Sequence, residues 1–134
     1  MPREIGELGT PEDWLKRAKS NLAIAKQARS EEIYLEDLCF ETQQAAEKAI
    51  KAVLLSKGIQ FRFVHDIAEL LTLLEQRGIT VSEDIRAAAG LTDYSVESRY
   101  PGPFEPVVED EFAEALKIAE AVVNWADIQI KCTE

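Results

Sequence analysis

The chain has 134 residues, 46% of them hydrophobic and 30% charged, which suits one self-supporting domain and excludes disordered, collagen-like and repetitive classes. Its formal net charge of -10 argues against DNA binding, because non-specific affinity for nucleic acid comes mostly from Lys and Arg neutralising phosphates. Two cysteines, Cys39 and Cys132, in no CxxC spacing and with a single histidine, exclude a disulfide framework and a zinc site.

The opening MPREIGELGTPEDW carries early charges and no apolar centre, so it does not read as a signal peptide. No apolar run approaches bilayer-spanning length. With reduced thiols this predicts a cytoplasmic protein without membrane attachment.

The first helix is expected from Pro11. Thr10 suits the N-cap, Pro11 the first helical position, and Glu12 and Asp13 the positive end of the dipole. Leu15, Ala18, Leu22 and Ala25 recur at helical spacing up to Arg29-Ser30. A second, longer helix is predicted from about Tyr34 to Lys57, with Leu38, Ala45, Ala49, Ile50, Val53 and Leu54 on one side and Gly58 as the stop. Gln43, Glu47, Lys48 and Lys51 would decorate its other side.

The connector Ile59 to His65 leads to a third helix, with Asp66 and Glu69 as a capping box and Ile67, Leu70, Leu71 and Leu74 inside. Gly78 ends it. Ser82-Glu83-Asp84 starts a fourth helix that turns Ile85, Ala88 and Ala89 inward, kinks at Gly90 and continues through Leu91 to Val96. The prolines of Arg99-Tyr100-Pro101-Gly102-Pro103-Phe104-Glu105-Pro106 forbid a helix. A fifth runs from about Glu109 to Ile130, with Phe112, Leu116, Ala119, Val123 and Ala126 on one stripe. The expected fold is all-α, a single up-and-down antiparallel bundle of four to five helices over residues 1–134, its core about 11–130.

Four segments carry a resemblance. Cys39-Phe40-Glu41-Thr42-Gln43-Gln44-Ala45-Ala46-Glu47-Lys48-Ala49-Ile50-Lys51-Ala52-Val53-Leu54 resembles the signature of HEPN domains, the higher eukaryote and prokaryote nucleotide-binding family. Asp13-Trp14-Leu15 with Ala18, His65-Asp66 with Leu70-Leu71, and Ser98-Arg99-Tyr100-Pro101-Gly102 agree in order and spacing. The resemblance implies a homodimer with a cleft between protomers. It also implies a minimal nucleotidyltransferase-like partner in a toxin–antitoxin-like pair, no cofactor, and a nucleotide as the ligand. Many HEPN domains are metal-independent ribonucleases marked by an Arg and a His with four to six residues between them. Here Phe104, Glu105 and Pro106 stand where that His would fall, so the non-catalytic binding module is the first expectation. A divergent ribonuclease acting on RNA, or a purely structural dimer, is the alternative.

The candidate residues each admit two readings. Arg99 and Tyr100 either finish a helix against its dipole or present a guanidinium to phosphate. His65 either pins the connector beside an Asp66 cap or takes part in proton transfer, for which Glu105 is a weaker base. Gln43, Gln44, Glu47, Lys48 and Lys51 form either a solvated face or part of a ligand-binding cleft, with Gln43, Gln44 and Lys48 as the binding candidates. Trp14 and Trp125 are expected to fill one end of the bundle, and Cys39 to act as a small buried hydrophobe.

Overall fold

Thr10 closes the front of the first helix. Its hydroxyl accepts from the Asp13 N–H at 3.1 Å, and the Asp13 carboxylate accepts from the Thr10 N–H at 3.3 Å, a complete capping box. The computed structural model describes residues 9–27, 30–95 and 106–133. It forms α1 (Pro11–Ala25), α2 (Leu35–Ser56), α3 (Ile67–Gln76), α4 (Glu83–Arg86) and α5 (Glu109–Thr133), with a 3-10 segment Ala87–Ser95 directly after α4. No strand occurs among the described residues.

Helices α2 and α3 stop by the same device. Gly58 and Gly78 adopt φ of 68° and 81°, a region closed to most side chains. The residue beyond each glycine then donates back over the helix end: Ile59 N–H to Leu54 C=O at 2.9 Å, and Ile79 N–H to Leu74 C=O at 3.1 Å. Ile59 thereby lands in the core, 3% exposed, and fixes where the connector to α3 begins.

The start of α3 is half of the expected box. Asp66 accepts from the Glu69 N–H, but the Glu69 carboxylate turns outward and pairs with the Arg62 guanidinium. Thr92 Oγ1 accepts from the Ile67 N–H at 3.1 Å, so the 3-10 segment helps to cap this end. The fourth helix also departs from expectation. It closes after Arg86, which is ion-paired with Glu75 of α3, and residues 87–95 wind more tightly. That winding stacks residues three apart, so Ala88 and Leu91 both enter the core while Ala89 and Gly90 stay at its edge.

Helix α2 is the axis of the fold. Of its 22 residues 14 are buried, so it is covered on most sides rather than on one. Ala45, Ala46, Ala49 and Ala52 are fully buried and let neighbouring helices approach closely. Leu15 and Ala18 of α1, the Leu70, Leu71 and Leu74 ridge of α3, and Ala115, Ala119, Val122, Val123, Ala126 and Ile130 of α5 close around it. On α5 the inner stripe is centred on these small residues, which leaves Phe112 and Leu116 half-buried. Trp14 and Trp125 pack half-buried against the core, and Cys39 is fully buried.

Contacts between helices fix their directions. Lys19 reaches Asp127 and Lys26 reaches Glu120, so α1 and α5 are antiparallel. Glu36 accepts from the Val107 N–H at 2.9 Å and the Lys57 Nζ donates to Gln129 C=O at 3.4 Å, so α2 and α5 run in parallel. Helix α1 is antiparallel to both. No helix among the described residues is long and apolar enough to cross a membrane.

Two substitutions test this scheme. Leu71→Ala removes a fully buried side chain between α3 and α2 and is expected to lower stability by about 2–5 kcal/mol in urea unfolding. Gly58→Ala meets no steric obstacle but must hold a left-handed backbone, and costs about 1–2 kcal/mol in the same measurement.

Candidate functional site

The burial of α2 draws part of its polar face inside. Gln43, Glu47 and Lys51 follow one another at four-residue steps, so their side chains stack along the helix. All three are buried, at 0%, 3% and 3% exposure. The expectation of a solvated face for Gln43, Glu47 and Lys51 is therefore corrected: α1, the connector and the rest of the bundle cover it. Gln44 and Lys48, one position further round, remain half-exposed at the seam with α1.

Inside, each polar atom has a partner. The Gln44 Nε2 donates to Gln43 Oε1 at 2.7 Å, and the Gln43 Nε2 donates to Glu47 Oε1 at 2.7 Å. The Lys51 Nζ donates to Glu47 Oε2 at 2.8 Å. Lys51 is enclosed by two aromatic rings, its Nζ lying 5.9 Å from the Trp14 centroid and 5.6 Å from that of Phe63. The described residues contain no buried side-chain N or O without a hydrogen bond.

The network surfaces at His65. Its Nδ1 lies 2.8 Å from Glu47 Oε1, while 58% of the side chain is exposed. An ionised carboxylate at that distance requires the proton of a neutral imidazole on Nδ1, which leaves Nε2 as an acceptor facing solvent. Burial pushes the Glu47 carboxyl up. The Lys51 hydrogen bond and charge, then the His65 and Gln43 hydrogen bonds, outweigh it and hold the group below its ordinary value. Two of the sequence candidates, Gln43 and His65, thus converge on Glu47, which the sequence placed on the same polar face but not among the binding candidates. The helical spacing of 43, 47 and 51 was the available signal. Phe63 and Trp14 also escaped, because only the fold brings the connector over Lys51.

Lys48 belongs to a neighbouring group. Its Nζ donates to Asn21 Oδ1 at 2.9 Å, and the Asn21 Nδ2 donates to Glu41 at 2.6 Å, which pins α1 to α2. Arg99, Tyr100 and Glu105 lie outside the described residues. The ends that flank them are fixed: the Tyr94 hydroxyl donates to Glu111, and Val107 is held by Glu36. Beside Tyr94, burial and then the Glu111 and Glu36 carboxylates push the Cys39 thiol up to about 12, so it carries no thiolate at neutral pH. The described residues contain no group of three or more His, Cys, Asp or Glu able to hold a metal ion.

A helical bundle whose central helix buries a charge-balanced polar network, open to solvent at one histidine, is the class of molecule defined by these features. The model of the HEPN domain family matches residues 11–129, and the chain belongs to that family. Among solved structures, it is similar to ST0689, an archaeal HEPN homologue, with 34% identity over 92% of this chain and 99% of that one, at a TM-score of 0.74. It is also similar to TT1696 from Thermus thermophilus, with 33% identity over 89% and 97% of the two chains and a TM-score of 0.77. No curated protein shows significant similarity.

The network makes two measurable demands. Lys51→Met leaves the buried Glu47 carboxylate without its cation and is expected to cost about 3–5 kcal/mol in denaturant unfolding, whereas Glu47→Gln combined with Lys51→Met recovers much of that loss. Because the folded protein lowers the Glu47 pKa, this carboxylate stabilises the fold above the ordinary value of 4.5, and the contribution is lost as pH falls through the lower folded value. Melting temperature against pH is therefore expected to fall less steeply below 4.5 in Glu47→Gln than in the parent.

Proposed function

We propose that this HEPN chain is a non-catalytic binding module: it homodimerises, pairs with a minimal nucleotidyltransferase-like protein in a toxin–antitoxin-like system, and holds a nucleotide in the cleft between protomers. One observation supports this reading. The sequence offers no histidine at positions 104–106, where four to six residues would separate it from Arg99, so the metal-independent ribonuclease pattern lacks its proton-transfer partner there. The half-exposed Gln44 and Lys48 add polar groups suited to a phosphate-bearing ligand. Tagged protein recovered from its native host is expected to bring down a nucleotidyltransferase-like protein in stoichiometric amount and to leave cellular RNA intact. Recovery without such a partner, and without nucleotide binding, would overturn the reading.

A second reading is favoured by the His65–Glu47 contact, since a histidine held by a carboxylate is equipped for proton transfer. In that case the chain is a divergent ribonuclease in which His65 works with Arg99 and Tyr100 across the dimer. Strong expression would then be toxic and degrade RNA, and both His65→Gln and Arg99→Ala would relieve it. Normal growth under strong expression excludes this alternative.

A further inference from the structure

The last turn of α1 lies beside the first turns of α2, where Asn21 donates to Glu41 at 2.6 Å. Next to that bond is a groove of about 300 Å³. Ile24, Ile33, Leu38 and Phe40 give it apolar walls, and its charged lining residues are the carboxylates Asp37 and Glu41. Ile24 is 40% exposed, so apolar surface here faces solvent instead of the core. The neighbouring Tyr34 holds the N-cap position of α2 without a side-chain cap bond, and it is 72% exposed. Ser, Thr, Asp or Asn would serve the helix better there, so folding does not account for the ring.

The surroundings carry one sign of charge. From Ser30 to Glu47 the chain has no Lys or Arg, while Glu31, Glu32, Glu36, Asp37 and Glu41 precede Glu47. The helix dipole accounts for Glu36 and Asp37 in the first turn, but not for Glu31 and Glu32 in the turn before it. Glu36 is held by the Val107 N–H, and Glu41 shares Asn21 with Lys48. Among the described residues no Lys or Arg comes within ion-pair distance of Glu31, Glu32 or Asp37. Exposed apolar surface beside unpaired carboxylates is complementary to a counterpart that is both apolar and cationic. A second copy of this chain does not fit, because a two-fold contact sets each group of carboxylates against its own image. Nucleic acid and anionic membrane are repelled for the same reason.

We propose that this groove docks a basic amphipathic segment of the protein partner. Its apolar side chains sit on Ile24, Ile33 and Leu38, and its Lys or Arg side chains face Glu31, Glu32 and Asp37. The proposal rests on the partner reading above and gives that partner a docking surface. Because a second copy is excluded here, the homodimer uses another face.

Photo-crosslinking of the tagged full chain in its native host tests the site. The probe is p-benzoylphenylalanine replacing Ile24 or, as the control, the exposed Gln60 beyond the far end of α2. The probe at position 24 is expected to join a segment of the partner in which Lys or Arg stands beside apolar residues, identified by sequencing the joined peptide. At position 60 it is expected to join nothing of that segment. Glu31 and Glu32 are exposed and outside any helix, so their replacement leaves the fold intact. Glu31→Lys with Glu32→Lys is expected to lower recovery of the partner at least tenfold. A joined segment without basic residues, or one from a second copy of this chain, overturns the docking site. A partner recovered in full by the charge-reversed chain also overturns it, and leaves the pairing reading standing. Recovery of no partner by the parent chain overturns both.

Discussion

An ionised pair inside the central helix is the constraint around which the rest is arranged. Removing Glu47 and Lys51 from water is expensive, and the mutual attraction of two charges does not by itself recover that cost. The fold offsets it with an amide, an imidazole and two aromatic faces, each delivered by a different part of the chain. Trp14 fixes the position of α1, Gln43 comes from α2 itself, and Phe63 and His65 come from the connector. A single short interaction therefore couples α1, α2 and the connector in addition to the apolar core that they share.

The connector shows this most directly. Between Ile59 and Asp66 it forms no regular helix, and its termini are set by the Gly58 reversal and the α3 cap. Its middle is set by chemistry: Phe63 over the ammonium, edge-on to Phe61 at 6.2 Å, and His65 on the carboxylate. Because His65 is held from below, its outer nitrogen is presented in one orientation. The seam with α1 is organised on another plan, with Asn21 bridging opposite charges on α2 instead of a charge meeting its counterpart.

Much of the architecture was legible from periodicity and punctuation. Thr10, Pro11, Gly58 and Gly78 act where their backbone preferences place them, and the apolar ridge of α3 points inward as its spacing requires. The fourth helix was misread because Ala87-Ala88-Ala89-Gly90 satisfies a helical pattern of either pitch, and only packing of Ala88 and Leu91 selects the tighter one. The site was legible in part. Gln43 and His65 could be nominated from sequence, but polar residues at four-residue spacing read as a solvated stripe until the number of covering elements is known. Glu47 gains its role from α2 being enclosed, which is a property of the whole chain and not of the helix.

The parallel course of α2 and α5 bears on redox behaviour. Cys39 sits near the start of α2, within electrostatic reach of Glu111 at the start of α5, whereas Cys132 lies exposed near the far end of that helix. Twenty-one residues of helix separate Glu111 from Cys132, about 30 Å at 1.5 Å per residue. A disulfide joins α-carbons less than about 7 Å apart. The two thiols of one folded molecule thus cannot meet, and Cys39 is sealed in protonated form. Oxidative chemistry is thereby confined to the exposed Cys132, whose disulfide partner must be a thiol outside the molecule, with the interior left unchanged.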